Sequence, residues 1–481
     1  MALQLVAMPI VNSKFTRATM RYFLFLLASF ILSPTLQAGD FSYHVLDSEA
    51  PGPTILVVGG IQGDEPGGFH AAALLATKYK VTAGKVLIVP NLNFKSILAV
   101  NRGGFGDMNR KFAEISEKDP DYAAVAFIKA TILREDVSYV FNLHDGSGFY
   151  RPEATGNWAL DPKRWGQSIV IDDTEVALKN GGVGSLLNLA TRVTQRVNGS
   201  LLKAPHAIRV KNTNTAAGDL EMAKSLSYYA FTNGKQAVGL EASKDLPLEE
   251  RAYYHLLMLE SYMLELGLAF DRSFDLSAAG VATAMWEELS ISFMDGRVSL
   301  NLGQNNGQMN LAVLPLSVNK KGEVKYITSN PLIALVKQKN GRAYSVHYGN
   351  TRLTSITSFS TSPAASVTET APILISVDGK QKEAWLGSTV RVTNSFEIAP
   401  VSGYRFNVIG KVGTTDEGTP IFVKDLQKKW AINKQDTYRV EMYRGTMLSG
   451  TFLVTVGPRE REVMPSPAMA PLRLERVAQV M

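Results

Sequence analysis

The chain has 481 residues, of which 45% are hydrophobic and 20% charged, a composition that can bury two or three domain cores and excludes a largely disordered protein. The formal net charge of +6 is too mild to favour nucleic acid as the partner. There are no cysteines, so disulfides and thiolate chemistry are excluded, and any metal must be held by His, Asp, Glu or neutral oxygens.

Lys14, Arg17 and Arg21 precede the apolar run Tyr22 to Leu32, followed by Ser33, Pro34 and Leu36-Gln37-Ala38. This is the pattern of a secretory signal peptide over residues 1–38, with Met20 as an alternative start and an uncleaved anchor as the alternative fate. The run is short for a transmembrane helix, and no later stretch is long and apolar enough for one. The expected mature chain starts near Gly39 in the periplasm. Its charge is the formal +6 less the three cations of residues 1–38, or +3, which is compatible with an anionic substrate.

From Phe41 to about Phe270 short apolar runs alternate with helical segments. Thr54 to Val58 reads as a buried strand, Pro66 to Tyr79 as a helix with proline in its first turn, and Lys85 to Val89 as a second strand. Tyr122 to Arg134 is helical, Val137 to Leu143 is a strand, Ala237 to Leu240 is another, and a helix runs from about Leu248 to Leu268. The alternation predicts an α/β domain with a largely parallel sheet over 39–270. After Asp271 the segments are short and strand-like, separated by turn signals such as Asn305-Asn306-Gly307 and Asp378-Gly379. Two small all-β domains are expected, 271–360 and 361–459, with the Ser- and Thr-rich stretch Thr354 to Ser366 as a linker. The proline-rich tail, 460–481, is expected to be poorly ordered.

The first candidate site segment is Gly59-Gly60-Ile61-Gln62-Gly63-Asp64-Glu65-Pro66-Gly67-Gly68, between a strand and a helix. Sites collect at the carboxyl ends of strands in open α/β sheets. Gln62 and Glu65 sit three apart in a tight turn, so their oxygens can converge on one ion. His144, in Asn142-Leu143-His144-Asp145-Gly146, ends another strand. These three would make three ligands from two strand ends, the open catalytic arrangement that leaves a position for water. Glutamine is a rare ligand, neutral like imidazole but a weaker donor. The alternative is that Gln62 and Glu65 only cap the next helix.

Asn101-Arg102 and Asn109-Arg110 lie in a glycine-rich loop, and guanidinium groups bind carboxylates bidentately. Arg102, Asn109 and Arg110 are therefore candidate substrate-binding residues, against the plainer reading of surface arginines with acidic neighbours. Glu241 ends an apolar strand and is the candidate general base, or else the partner of Lys244. His44, His70, His206, His255 and His347 have no ligand-like spacing and read as structural or surface residues. Trp158 and Trp165 either line a groove for sugar or peptide or are packed.

With these residues in view, the domain resembles the funnelin zinc carboxypeptidases, whose usual zinc motif is His-x-x-Glu with a later His. It also carries their Asn-Arg pair in Asp107-Met108-Asn109-Arg110. Gln62 in place of the first His departs from that pattern and is similar to a narrower family, the D,L-carboxypeptidases that set cell shape in helical Gram-negative bacteria. Further similar stretches are Gly146-Ser147-Gly148-Phe149-Tyr150, Arg164 to Ser168, Lys211-Asn212-Thr213 and Leu240 to Lys244.

The resemblance implies cleavage of the peptidoglycan muramyl tripeptide L-Ala-γ-D-Glu-meso-diaminopimelate to the dipeptide, with an effect on cell-wall curvature. It implies Zn2+ held by Gln62, Glu65 and His144, water activation by Glu241, and carboxylate or oxyanion binding by Arg102 and Arg110. Two alternatives remain at this point. One is a zinc deacylase of small N-acyl amino acids, like the succinylglutamate desuccinylases. The other is a metal-free domain that only binds peptidoglycan.

Overall fold

The computed structural model describes residues 41–457, apart from 294–297, 303–311, 317–323, 340–342, 361–371, 387, 414–415 and 432–435, together with 474–477 and 479–480. Its first domain is built on β1 (His44–Asp47), β2 (Thr54–Val58), β3 (Lys85–Val89), β4 (Val137–Gly146), β5 (Ser168–Ile171), β6 (Arg209–Asn212) and β7 (Gln236–Ser243). These form one sheet in the order β1-β3-β2-β4-β7-β5-β6. Strands β3, β2, β4 and β7 run parallel, while β1 and the β5/β6 pair run against their neighbours.

Period-two alternation divides the apolar runs between two faces of this sheet. Ile55 and Val57 join a core with helices α1 (Pro66–Lys78), α4 (Leu186–Asn198) and α6 (Leu248–Glu265). Leu56 and Val58 join the opposite core, closed by α3 (Tyr122–Ile132) and α5 (Leu226–Thr232). A strand buried on both faces reads as a continuous apolar run, which is why β2 and β3 stand out in the sequence. The short α2 (Phe94–Ala99) follows β3.

Residues 271–286 were expected to open a β domain, but Ala278–Trp286 forms helix α7, whose Val281, Ala284 and Met285 complete the first core. Beyond it, strands Val298–Asn301, Ser290–Phe293, Lys325–Thr328 and Leu474–Val477 form one sheet. Ala312–Leu316, Thr351–Ser360, Ala343–Tyr348, Ile333–Lys337 and Gln479–Val480 form a second. One expectation is corrected here. The stretch from Thr354, read as a linker, is strand as far as Ser360; Leu353 and Ile356 are buried in the core of this domain, and Thr suits a pleated surface. Most of the tail, expected to be poorly ordered, lies outside the described residues; within it 474–477 and 479–480 are strands that pair with Lys325–Thr328 and Ile333–Lys337.

The core of this middle domain includes Phe69 and Ala73 of α1 and Phe94, Ile97 and Leu98 of α2. His70 of α1 meets Tyr348 edge-on at 4.8 Å. At Gly349, with φ +56°, a Cβ would lie 2.9 Å from the Phe69 ring, so only glycine lets the two domains approach this closely. The last domain, within 373–456, packs two four-stranded sheets around its own core of Ile375, Phe396, Val440 and Phe452.

Candidate active site

The site lies where β2, β4 and β7 end. After β2 the chain turns sharply through Gly60, whose φ of +69° and close approach to Ile97 and Asn91 require glycine. The turn delivers Gln62 and Glu65, both buried, to the mouth of α1. In the parallel pairing of β4 and β7, His144 is the direct neighbour of Glu241, so both side chains leave the sheet on the same face.

Gln62 Oε1 lies 3.0 Å from His144 Nδ1, and Glu65 Oε2 lies 2.9 Å from the same nitrogen. Asp145 N–H also donates to Glu65 Oε2 at 3.2 Å. Glu65 makes no side-chain hydrogen bond to the first turn of α1, and Gln62 donates its amide to Asp107 Oδ1 at 2.8 Å. Glu65 holds the N-cap position of α1, but neither side chain caps the helix. The Asp107 contact fixes which end of the Gln62 amide faces His144, and it is the oxygen.

These donors fit a divalent metal. Ligands about 2.1 Å from a tetrahedral zinc are roughly 3.4 Å apart. The separations of both oxygens from His144 Nδ1 need widen by only about half an ångström to admit the ion. One carboxylate, one amide oxygen and one imidazole leave a coordination position open. Among the described residues no three His, Cys, Asp or Glu side chains are gathered for a metal, so the site depends on the Gln62 oxygen.

Glu241 is buried and lines the same cavity, about 310 Å³ in volume. Burial pushes its pKa up to about 8, with the charges of Glu65 and Asp145 adding and those of His144 and Lys244 opposing. Burial disfavours charge on His144, but the hydrogen bond and charge of Glu65 outweigh it and hold its pKa above the usual value. Lys244 lies 3.0 Å from Asp64 and 3.5 Å from Glu65, so its ion pairs run to the ligand loop.

Arg102 donates to Asp107 Oδ2 at 2.9 Å and to Glu65 Oε1 at 3.2 Å. Arg110 donates to the Asn109 carbonyl at 3.0 Å, and its only ion pair among the described residues is a 3.7 Å approach to the exposed Glu221. Asn109 accepts from Leu226 N–H at 3.0 Å and from Asn142 at 3.3 Å, which turns its amide nitrogen toward His144 Nε2 at 3.4 Å. All seven candidate residues line the one cavity.

Sequence reasoning missed Asp107, which joins Gln62 to Arg102. It also missed Asp145, buried beside His144, which accepts from Gly67 N–H at 2.8 Å and Arg251 at 3.1 Å and contacts His255 at 3.1 Å. Asp107 lies inside the Asn-Arg motif, but only the fold shows that it reaches back 45 residues to Gln62.

Residues 19–285 match the family described as carboxypeptidase controlling helical cell shape, catalytic. The chain belongs to this family. As in a metallo-carboxypeptidase of that kind, residues 367–457 match the C-terminal domain of metallo-carboxypeptidase. The product-bound cell shape determinant Csd4 from Helicobacter pylori is 34% identical, with a TM-score of 0.74, covering 87% of this chain and 100% of that one. The mDAP-bound form of Csd4, described as a D,L-carboxypeptidase, is 35% identical with a TM-score of 0.73, covering 84% and 97%. The tripeptide-bound form is 33% identical with a TM-score of 0.73, covering 87% and 100%. Among curated protein sequences none matches this cell-shape carboxypeptidase significantly.

Proposed function

We infer that the chain is a zinc D,L-carboxypeptidase that trims the peptidoglycan tripeptide L-Ala-γ-D-Glu-meso-diaminopimelate to the dipeptide and so influences cell shape. The observation that carries this reading is the meeting of Gln62, Glu65 and His144 at one point, with Glu241 and two guanidinium groups in the same cavity. It occurs in a chain alignable over most of its length with a tripeptide-bound relative. A module that only bound peptidoglycan would have no chemical use for this set.

Arg110, whose acidic neighbour Glu221 is exposed, is free to grip the terminal carboxylate of diaminopimelate. Arg102, bonded to Glu65, stands beside the point where the scissile carbonyl gains negative charge. The amide nitrogen of Asn109 completes that wall. Gln62, Glu65 and His144 would hold the zinc, which when bound would supply Lewis acidity, lower the pKa of water and favour the carboxylate form of Glu241. Glu241 accepts the proton as water oxygen bonds to the carbonyl carbon. It passes that proton to the departing amine as the C–N bond breaks. Its burial suits both roles, since the proton is neither lost to solvent nor held permanently.

The signal-like residues 14–38 lie outside the described residues, and no helix among those described is long and apolar enough to cross a membrane. Action on the cell wall places the enzyme outside the cytoplasm, and the reading places it in the periplasm. N-terminal sequencing of the exported protein should begin near Gly39. The decisive assay is mass analysis of muropeptides incubated with the zinc-loaded protein. Tripeptide stems should lose one diaminopimelate residue, and intact tripeptides would overturn the reading.

A further inference from the structure

Two residues of the cavity wall, Ser147 and Trp165, are the ends of a loop. The N–H groups of Trp165 and Gly166 donate to the Ser147 carbonyl at 3.2 and 3.3 Å and close its neck. Between them residues 148–164 leave the sheet. The loop has internal structure, for Phe149–Tyr150 pairs with Leu160–Asp161. At its outer end Arg164 Nε donates to the Trp158 carbonyl at 2.7 Å, and the guanidinium lies 5.0 Å from the Trp158 ring centroid. Trp158 is nevertheless 74% exposed.

This arrangement holds the backbone of Trp158 in place and leaves most of its indole in water. An indole held by its backbone and left mostly in water, on a loop whose two ends line the cavity, presents a flat apolar face to a ligand. We propose that Trp158 and Arg164 form a platform for the muramyl end of the substrate, with the sugar ring against the indole. The proposal rests on the function inferred above.

Direction and charge both favour it. The carboxylate terminus of the stem is taken by the arginines inside the cavity, so the remainder of the stem must leave through the mouth. Two residues, γ-D-Glu and L-Ala, separate the scissile bond from the sugar's lactyl group, a span on the order of 10 Å. Arg164 is covalently next to Trp165 of the wall, so the platform begins one residue beyond the cavity. The γ-linkage leaves the α-carboxylate of D-Glu free, and the guanidinium of Arg164, whose Nε is bonded to the Trp158 carbonyl, offers it a cation. The apolar C–H face of a pyranose then meets the indole as bases and other flat ligands meet exposed aromatics.

The test is equilibrium binding, by calorimetry, of two products to the zinc-loaded protein: the disaccharide-linked dipeptide and the free dipeptide. Wild type should prefer the sugar-bearing ligand by roughly tenfold. Trp158→Ala should lose that preference and Trp158→Phe should keep most of it, both binding the free dipeptide as wild type does. In turnover, Trp158→Ala should raise KM for disaccharide-tripeptide and leave kcat and the free tripeptide unchanged. No preference in wild type, or an equal preference in Trp158→Ala, overturns the platform. A Trp158-dependent preference without any turnover would leave the platform standing and remove the peptidase reading instead.

Discussion

Gln62 is the residue whose chemistry differs most from the usual pattern, and its neighbour Asp107 fixes which end of its amide faces His144. An amide can present either end to a metal. The 2.8 Å bond from Gln62 Nε2 to Asp107 decides in favour of oxygen. Gln62→Ala should therefore lower zinc affinity sharply in chelator competition, because two protein ligands are fewer than a catalytic zinc normally has. A helix-capping residue would cost about 1 kcal/mol of stability and leave affinity alone. Asp107→Ala should weaken zinc by roughly tenfold through the freed amide. The two carboxylates should separate by assay: Glu65→Ala loses the metal, whereas Glu241→Ala keeps it and abolishes turnover. Arg110→Ala should lower kcat/KM by about a hundredfold with zinc content unchanged, the loss of a charge-assisted contact of a few kcal/mol. Gln62, Glu65, His144 and Glu241 were legible because strand ends and glycines advertise them. Asp107 and Asp145 were not, since their partners lie 45 and 110 residues away and no local pattern records such pairs.

Helix α1 is the element that joins chemistry to architecture. Its first turn follows Glu65, and its next residues, Phe69, His70 and Ala73, are buried. Phe69 and Ala73 enter the core of the middle domain. His70 is fully enclosed there, and burial drops its pKa to about 3, only partly opposed by Asp145. The unfolded chain takes up that proton near pH 6.5. Stability from neutral His70 is thus complete above pH 6.5 and is lost as pH falls from 6.5 toward 3, by about 1.4 kcal/mol per unit. Urea unfolding at pH 7.5 and pH 5 should differ by about 2 kcal/mol on this account, and His70→Gln should remove much of that difference. Equal pH dependence in both proteins would contradict it. Elements with long apolar runs, such as β2, β3 and α6, were readable in the sequence. The four-residue β5 and β6 were not, because so short a run carries too little periodicity to tell strand from loop.

At the scale of the whole molecule, the change from alternating helices and strands to strands alone was legible. The seam between domains was not, because α7 looks like neither a buried strand nor a long amphipathic helix. The prolines after Gly457 also hid the two strands near the C-terminus. There the chain, having completed the last β domain, returns to add an edge strand to each sheet of the middle one. In topological terms the last domain is therefore an insertion, entered and left through its host. Removing residues after Gly457 would strip no part of the catalytic cavity, yet it would bare the main-chain edges of Lys325–Thr328 and Ile333–Lys337. Unpaired edges recruit other chains. Such a truncation should keep its zinc affinity while running as higher-order species in size-exclusion chromatography, and a monodisperse monomer would show that the edges need no cover. If the higher-order species form, the two C-terminal strands are the cover that keeps one molecule from being continued by the next.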